Sequence, residues 1–113
     1  MVLTCSGADG QRLGIVFYGI LGASSTPFGS GSTSILCVRP PLQRTRVQGT
    51  GGTAGHCDGS FALDLFGYLA NHPNALGQPI APGVRFNVQA WIRDPAAPRG
   101  GQTSDALWFE FVP

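Results

Sequence analysis

The sequence is poor in charged residues and contains no lysine. Charged residues make up 12% of the chain, and all seven basic residues are arginines. That share is about half of the typical value. A nucleic-acid-binding domain normally carries a basic stripe, whereas the densest group here is Arg39, Arg44 and Arg46, and the net charge is only +1. We therefore expect no nucleic-acid partner.

Long hydrophobic runs are also missing. No stretch approaches the roughly 20 apolar residues that cross a bilayer, so we expect no membrane span. The first residues lack the charged segment and apolar segment that mark a signal peptide. Met1 instead opens directly on the strand-like 2-VLTCS-6, which is typical of an excised domain or a processed chain.

Helical periodicity is absent as well. No window keeps an i, i+3, i+4, i+7 apolar pattern for three turns without a glycine or proline, and 66-FGYLANHP-73 allows a single turn at most. The 17 glycines and 9 prolines lie mainly between short apolar runs. These runs predict seven strands, near 2–6, 13–21, 34–39, 42–48, 59–66, 84–93 and 105–112. Seven such strands are typical of an all-β fold, and we predict one domain, 1–113, forming an antiparallel β-sandwich of the jelly-roll or immunoglobulin-like kind.

The predicted strands carry their apolar residues on defined faces. The run 13–21 is apolar on both faces, which predicts a central position in a sheet or a place under a covering loop. Two other strands alternate, and their inward sets are Phe61, Leu63 and Leu65, and Leu107, Phe109 and Phe111. The clearest alternation is at 84–93, where the inward set is Val84, Phe86, Val88, Ala90 and Ile92.

The opposite face of 84–93 is the main candidate for a binding surface. It carries Arg85, Asn87, Gln89, Trp91 and Arg93, and Trp108 and Glu110 join it if the last strand pairs alongside. We predict a ligand or partner face formed by Trp91, Trp108, Arg85, Gln89 and Arg93. Tryptophan flanked by planar polar side chains is typical of carbohydrate-binding β-sandwiches, and exposed aromatic residues also mark protein contacts or self-assembly. The alternative is that both tryptophans are buried under a second sheet or under the 66–83 connection.

Three cysteines leave one thiol unpaired. A bond between Cys37 and Cys57 would close a loop of about 20 residues and contribute about 3 kcal/mol. Cys5 would then be left over, either buried as a small apolar residue or paired outside this segment, and the alternative is three unrelated reduced thiols.

No motif predicts catalysis, a metal ion or a cofactor. In 56-HCDGS-60 the adjacent His56 and Cys57 point to opposite sides of an extended chain, so they are badly placed to act as base and nucleophile. Calcium needs six to eight oxygen ligands, and Asp9, Asp58 and Asp94 are better explained as turn residues than as a cluster of ligands. We expect no enzyme activity.

The order of several short motifs resembles a known family. These motifs are 3-LTCSG-7, 13-LGIVFYG-19, 36-LCVRPPLQRT-45, 51-GGTAGHCDGSFALD-64, 86-FNVQAWIRDP-95 and 104-SDALWFEF-111. Together they resemble a small β-domain found at the C-terminal ends of secreted and cell-surface proteins of planctomycetes, myxobacteria and similar bacteria. The resemblance covers nearly the whole chain, and it implies an extracytoplasmic domain with a Cys37–Cys57 disulfide and no assigned catalytic residues. Many members also carry a cysteine in the last strand. This chain has none there, so the cysteine that could pair with Cys5 is missing.

The sequence therefore predicts a secreted or surface-displayed module that acts by contact. The first hypothesis is a structural, assembly or adhesion module that packs against a neighbouring protein module or against copies of itself. The alternative is a carbohydrate-binding module that holds a polysaccharide on the tryptophan-bearing face. Low charge and a net charge near zero favour association of copies.

Overall fold

The alternating run at 84–93 forms the central strand of a layered β fold. The computed structural model describes residues 1–27, 34–96 and 100–110, and these residues form nine strands and one helix. The elements in chain order are β1 (Val2–Ala8), β2 (Leu13–Gly19), β3 (Ala23–Pro27), β4 (Ile35–Val38), β5 (Gln43–Gly49), β6 (Gly59–Asp64), α1 (Leu65–Asn71), β7 (Arg85–Arg93), β8 (Gly101–Thr103) and β9 (Leu107–Glu110).

The largest sheet has five antiparallel strands in the order β5-β2-β7, with β8 and β9 both paired to β7. The strand β8 pairs with the end of β7 at Trp91, and β9 pairs with its beginning, where Asn87 lies opposite Trp108. The strand β2 lies between β5 and β7 and is largely buried. The central position predicted for 13–21 from its two apolar faces is therefore confirmed.

The core lies on one face of this sheet, which we call the inner face. The antiparallel pair β1–β6 and the helix α1 cover this face. The buried core cluster contains Val16, Tyr18, Phe61, Leu63, Leu65, Leu69, Phe86, Val88 and Ala90. Each large apolar side chain buried there stabilises the fold by about 1.5–3 kcal/mol. The inward sets predicted for 59–66 and 84–93 are confirmed; in the last strand Phe109 packs against the core, Leu107 is exposed, and Phe111 lies outside the described residues.

The helix α1 is longer than the single turn that the sequence predicts. Asp64 caps it by accepting a hydrogen bond from the Gly67 amide at 3.3 Å, which satisfies one of the free N–H groups of the first turn. Leu65 and Leu69 are four residues apart, share one side of the helix and are both buried in the core. This packing stabilises two helical turns despite Gly67. No helix in the described ranges is long and apolar enough to cross a membrane.

The opposite, outer face of the five-stranded sheet is covered in part by the antiparallel pair β3–β4. Val38 of β4 is fully buried and lies against Gly19 of β2. The chain is therefore all-β and sandwich-like, with sheet strands packed on both faces of the central sheet, as the sequence predicts for the class.

Candidate functional site

The strand β4 crosses the polar face of β7 at Gln89. The Gln89 side chain is 2% exposed. Its Oε1 accepts a hydrogen bond from the Cys37 amide at 3.0 Å, and its Nε2 donates to the carbonyls of Ile35 at 2.8 Å and Ser104 at 2.6 Å. Thr103 Oγ1 also donates to the Ile35 carbonyl at 2.8 Å. Gln89, which the sequence places on a ligand face, therefore serves to hold β4 on the sheet.

Trp91 lies on the outer face beside this crossing and is half-buried. Its indole ring packs directly on Gly101 of β8, where any side chain would collide with it. The ring also lines a cavity of 380 Å³ on the outer face, together with Ile15, Phe17, Leu36, Leu42, Arg44 and Val47. We call this cavity the tryptophan groove.

Arg85 and Trp108 form a separate, exposed pair. The Arg85 guanidinium carbon lies 4.1 Å from the centre of the Trp108 ring, within the range of a cation–π contact. Trp108 is 58% exposed. The predicted pairing of the last strand with 84–93 is confirmed, and it puts Arg85, Trp108 and Glu110 on one face. Because Trp108 does not line the tryptophan groove, the two tryptophans do not form one continuous platform.

Arg93 is exposed at the end of β7. The neighbouring Asp94 holds the following turn without it, since its carboxylate accepts hydrogen bonds from the Ala96 amide at 3.1 Å and from Gln102 Nε2 at 2.5 Å. Of the five predicted ligand residues, Arg85 and Trp108 are in direct contact, Gln89 is buried under β4, and Trp91 lines a separate groove.

The predicted Cys37–Cys57 disulfide is not formed, and Cys5, Cys37 and Cys57 are free thiols. The reason lies in the layering. Cys37 belongs to β4 on the outer face, where its amide contacts Gln89. Cys57 precedes β6 and lines a cavity with Cys5 and Ile92, on the inner side of the sheet. The disulfide implied by the resemblance is therefore wrong for this structure.

Cys57 is exposed, and its thiol lies 3.8 Å from Asp9 Oδ1. Burial raises the pKa of the Cys5 thiol. Within the described ranges, no three cysteine, histidine or acidic side chains are close enough to hold a metal ion.

Hydrogen bonds involving Thr50 and Asp58 stabilise the loop that carries His56 and Asp58. Thr50 is 2% exposed; its hydroxyl donates to the Asp9 carbonyl at 2.7 Å and accepts from the Arg12 amide at 3.0 Å. Asp58 Oδ1 accepts from the Thr53 amide at 2.8 Å, and this hydrogen bond lowers the pKa of Asp58. Asp9 and Asp58 are thus turn residues, as the sequence indicates.

A second cavity lies between β1 and residues 104–107 and is not among the sites predicted from the sequence. This cavity of 280 Å³ is bounded by Leu3, Thr4, Cys5 and Ser6 of β1 on one side and by 104–107 on the other. The buried core residues Val16, Val88 and Ala90 form its floor. We call it the edge groove. In the described chain, β1 pairs with β6 alone, so its other edge has unpaired backbone groups along this groove. The sequence signal that could have found it is the absence of any charged residue in 2-VLTCSGA-8, because exposed edges usually carry charges.

Comparison with known proteins adds no family or relative. No protein-family model, no curated protein and no solved structure matches this chain.

Proposed function

We propose that this chain is a non-catalytic assembly module that pairs with a second copy of itself through the edge groove. The single observation that supports it most is the unpaired edge of β1, which faces a groove with core residues Val88 and Ala90 along it. An extended strand laid there would satisfy the free backbone groups of β1 and cover apolar surface in the same step.

A second copy fits this edge for two reasons. Identical strands that pair antiparallel are related by a two-fold axis, which is the commonest symmetry of protein dimers. The strand β1 carries no charged residue, so pairing two β1 strands opposes no like charges. The net charge of +1 also leaves little long-range repulsion between copies.

An apolar residue at the rim of the groove supplies contact area. Leu107 lines the edge groove and is 48% exposed, so a strand laid in the groove would cover it. The next residue, Trp108, lies on the other face of β9 against Arg85 and does not line the groove. We therefore infer that Leu107 flanks the pairing strands.

The secreted or surface location, and attachment to a larger protein, stay predictions that depend on the motif resemblance. The carbohydrate-binding alternative has less support from geometry. Gln89 is buried by β4, and the Arg85 guanidinium stacks on one side of the Trp108 ring, so the five predicted ligand residues offer a sugar no continuous surface.

A matched pair of leucines tests the assembly proposal. Leu107 and Leu13 are equally exposed, at 48%, but Leu13 does not line the edge groove. Sedimentation equilibrium of the native chain should show a concentration-dependent dimer. Leu107→Lys should weaken dimerisation by about ten-fold or more, because a charge is then buried against apolar surface, and Leu13→Lys should leave it unchanged.

A second variant separates strand pairing from a loose apolar contact. Thr4→Lys puts an exposed lysine on each β1 strand, and pairing the two strands would then bring like charges together, so dimerisation should be strongly weakened. The control is Thr26→Lys on β3, at another exposed threonine. A chain that stays monomeric at all concentrations, or a dimer that Thr4→Lys leaves intact, would contradict the proposal.

A further inference from the structure

The tryptophan groove lies on the outer face, away from the edge groove, and the proposed pairing of two copies does not use it. The register of the sheet explains why it is apolar. Ile15 lies opposite Val47 on one side and opposite Trp91 on the other, so three apolar side chains form a row across β5, β2 and β7. Leu36 of β4 forms one wall.

The next row gives the groove a charged end. Phe17 lies opposite Arg44 on β5 and opposite Gln89 on β7. Phe17 is 5% exposed and Gln89 is sealed under β4, so Arg44 is the charged residue that lines the cavity. In the described ranges the ion pair found joins the amino group of Met1 to Asp64, and Arg44 has no acidic partner. An uncompensated guanidinium beside an apolar cavity favours an anionic group on a bound molecule.

The cavity is also held open by the chain itself. Trp91 cannot move towards the backbone, because its ring already lies against Gly101. Leu36 is fixed through β4, whose backbone is bound by the buried Gln89 amide on both sides of this residue. A volume of 380 Å³ lies within the range of about 300–1,000 Å³ for small-molecule sites. The two walls that are fixed in this way do not have to be ordered when the ligand binds.

We propose that the tryptophan groove binds a free medium-chain carboxylate, with the hydrocarbon chain against Ile15, Val47 and Trp91 and the carboxylate at Arg44. A neutral sugar fits less well, because its many hydroxyls need hydrogen-bonding partners that Ile15, Phe17, Leu36, Leu42 and Val47 do not offer. The chemistry of the lining thus selects an apolar body with one anionic end.

Trp91 provides a direct reporter for the test. The chain has two tryptophans, and in the Trp108→Phe variant Trp91 is the remaining one. Titration with decanoate, kept below the concentration at which it forms micelles, should give a saturable change in Trp91 fluorescence. Native chain titrated by calorimetry should give the same dissociation constant.

Charge variants then test the role of Arg44. Arg44→Gln should weaken decanoate binding by about five-fold, the effect of losing one exposed ion pair, and should leave decanol binding unchanged. Arg46→Gln is the matched control, because Arg46 belongs to the same strand but does not line the cavity, and it should change neither affinity. Trp91→Phe should weaken both ligands, and thermal unfolding of each variant shows whether it folds.

Three results would overturn the proposal. The first is no saturable response to decanoate. The second is an equal affinity for decanoate and decanol in the native chain, which would show that the charge of Arg44 does not contribute to binding. The third is binding to vesicles of anionic phospholipid without binding to free decanoate, which would identify a lipid surface as the partner.

Discussion

At the scale of single residues, Tyr18 makes the stability of the core depend on pH. Its side chain is fully buried, its ring stacks on Phe86 with centroids 4.8 Å apart, and its hydroxyl donates to the Leu76 carbonyl at 2.7 Å. Burial, with a smaller contribution from nearby Tyr68, raises its pKa to about 12. The protonated form is therefore the one that the folded state favours.

The sign of the pH effect follows from this shift. The unfolded chain loses the Tyr18 proton near pH 10, while the folded chain keeps it to about pH 12. This group leaves the free energy of unfolding unchanged below pH 10 and lowers it by about 2–3 kcal/mol as the pH rises to 12. Tyr18→Phe should be less stable at pH 7 by about 1 kcal/mol, since the Leu76 carbonyl loses its donor, but should lose less stability between pH 10 and 12. Urea unfolding of both chains at several pH values measures this, and parallel pH profiles would contradict it.

Gln89 shows that alternation predicts which face a residue occupies but does not predict what covers that face. The period-two pattern correctly assigns Gln89 and Trp91 to the face opposite Val88 and Ala90. It does not say what covers that face, because a polar side chain exposed to water and one that satisfies buried backbone groups occupy the same position in the pattern. The contact between Arg85 and Trp108 could have been predicted from the sequence, because it requires only that β7 and β9 pair.

At the scale of elements, each predicted strand has a counterpart among the described residues, and the ends differ by one or two residues. The end of the last predicted strand, 111–112, lies outside the described residues. The apolar pattern of the sequence does not reveal β3, because 23-ASSTP-27 has no alternating apolar residues and is stabilised by pairing with β4. It also misses the three-residue β8 and the second turn of α1, for which tertiary packing outweighs local propensity. The two grooves could not be predicted, because each one lies between elements that are distant in sequence.

The attachment of β4 to β7 gives an element-scale prediction. Gln89→Leu removes the partners of the Cys37 amide and the Ser104 carbonyl, so we expect a loss of about 3 kcal/mol in the free energy of unfolding. Asn87 is the matched control on the same face. It is 5% exposed and its Oδ1 is among the buried atoms without a hydrogen-bond partner in the described chain, so Asn87→Leu should be neutral or stabilising by up to about 1 kcal/mol. Equal losses in urea unfolding would show that Gln89 does not hold β4.

At the scale of the whole molecule, the central sheet separates two covering layers. The inner layer, β1–β6 with α1, contains the packed core, and the outer layer, β3–β4, is attached mainly through one amide side chain and Val38. The two proposed sites follow from this arrangement. The edge groove forms where the inner layer fails to close against β9, and the tryptophan groove forms where the outer layer leaves β5 and β2 uncovered.

The same layering predicts how the three thiols behave. Because Cys37 and Cys57 belong to opposite layers, the fold does not depend on a disulfide, and its thermal midpoint should be unchanged by a reductant. Alkylation of the unfolded, unreduced chain should add three groups, one for each cysteine. In the folded chain the exposed Cys57 should react first and Cys5 last, because burial both shields Cys5 and raises the pKa of its thiol. Mass spectrometry over time measures this order. A chain that accepts one group until it is reduced contains a disulfide, and its two covering layers must then pack differently from those described.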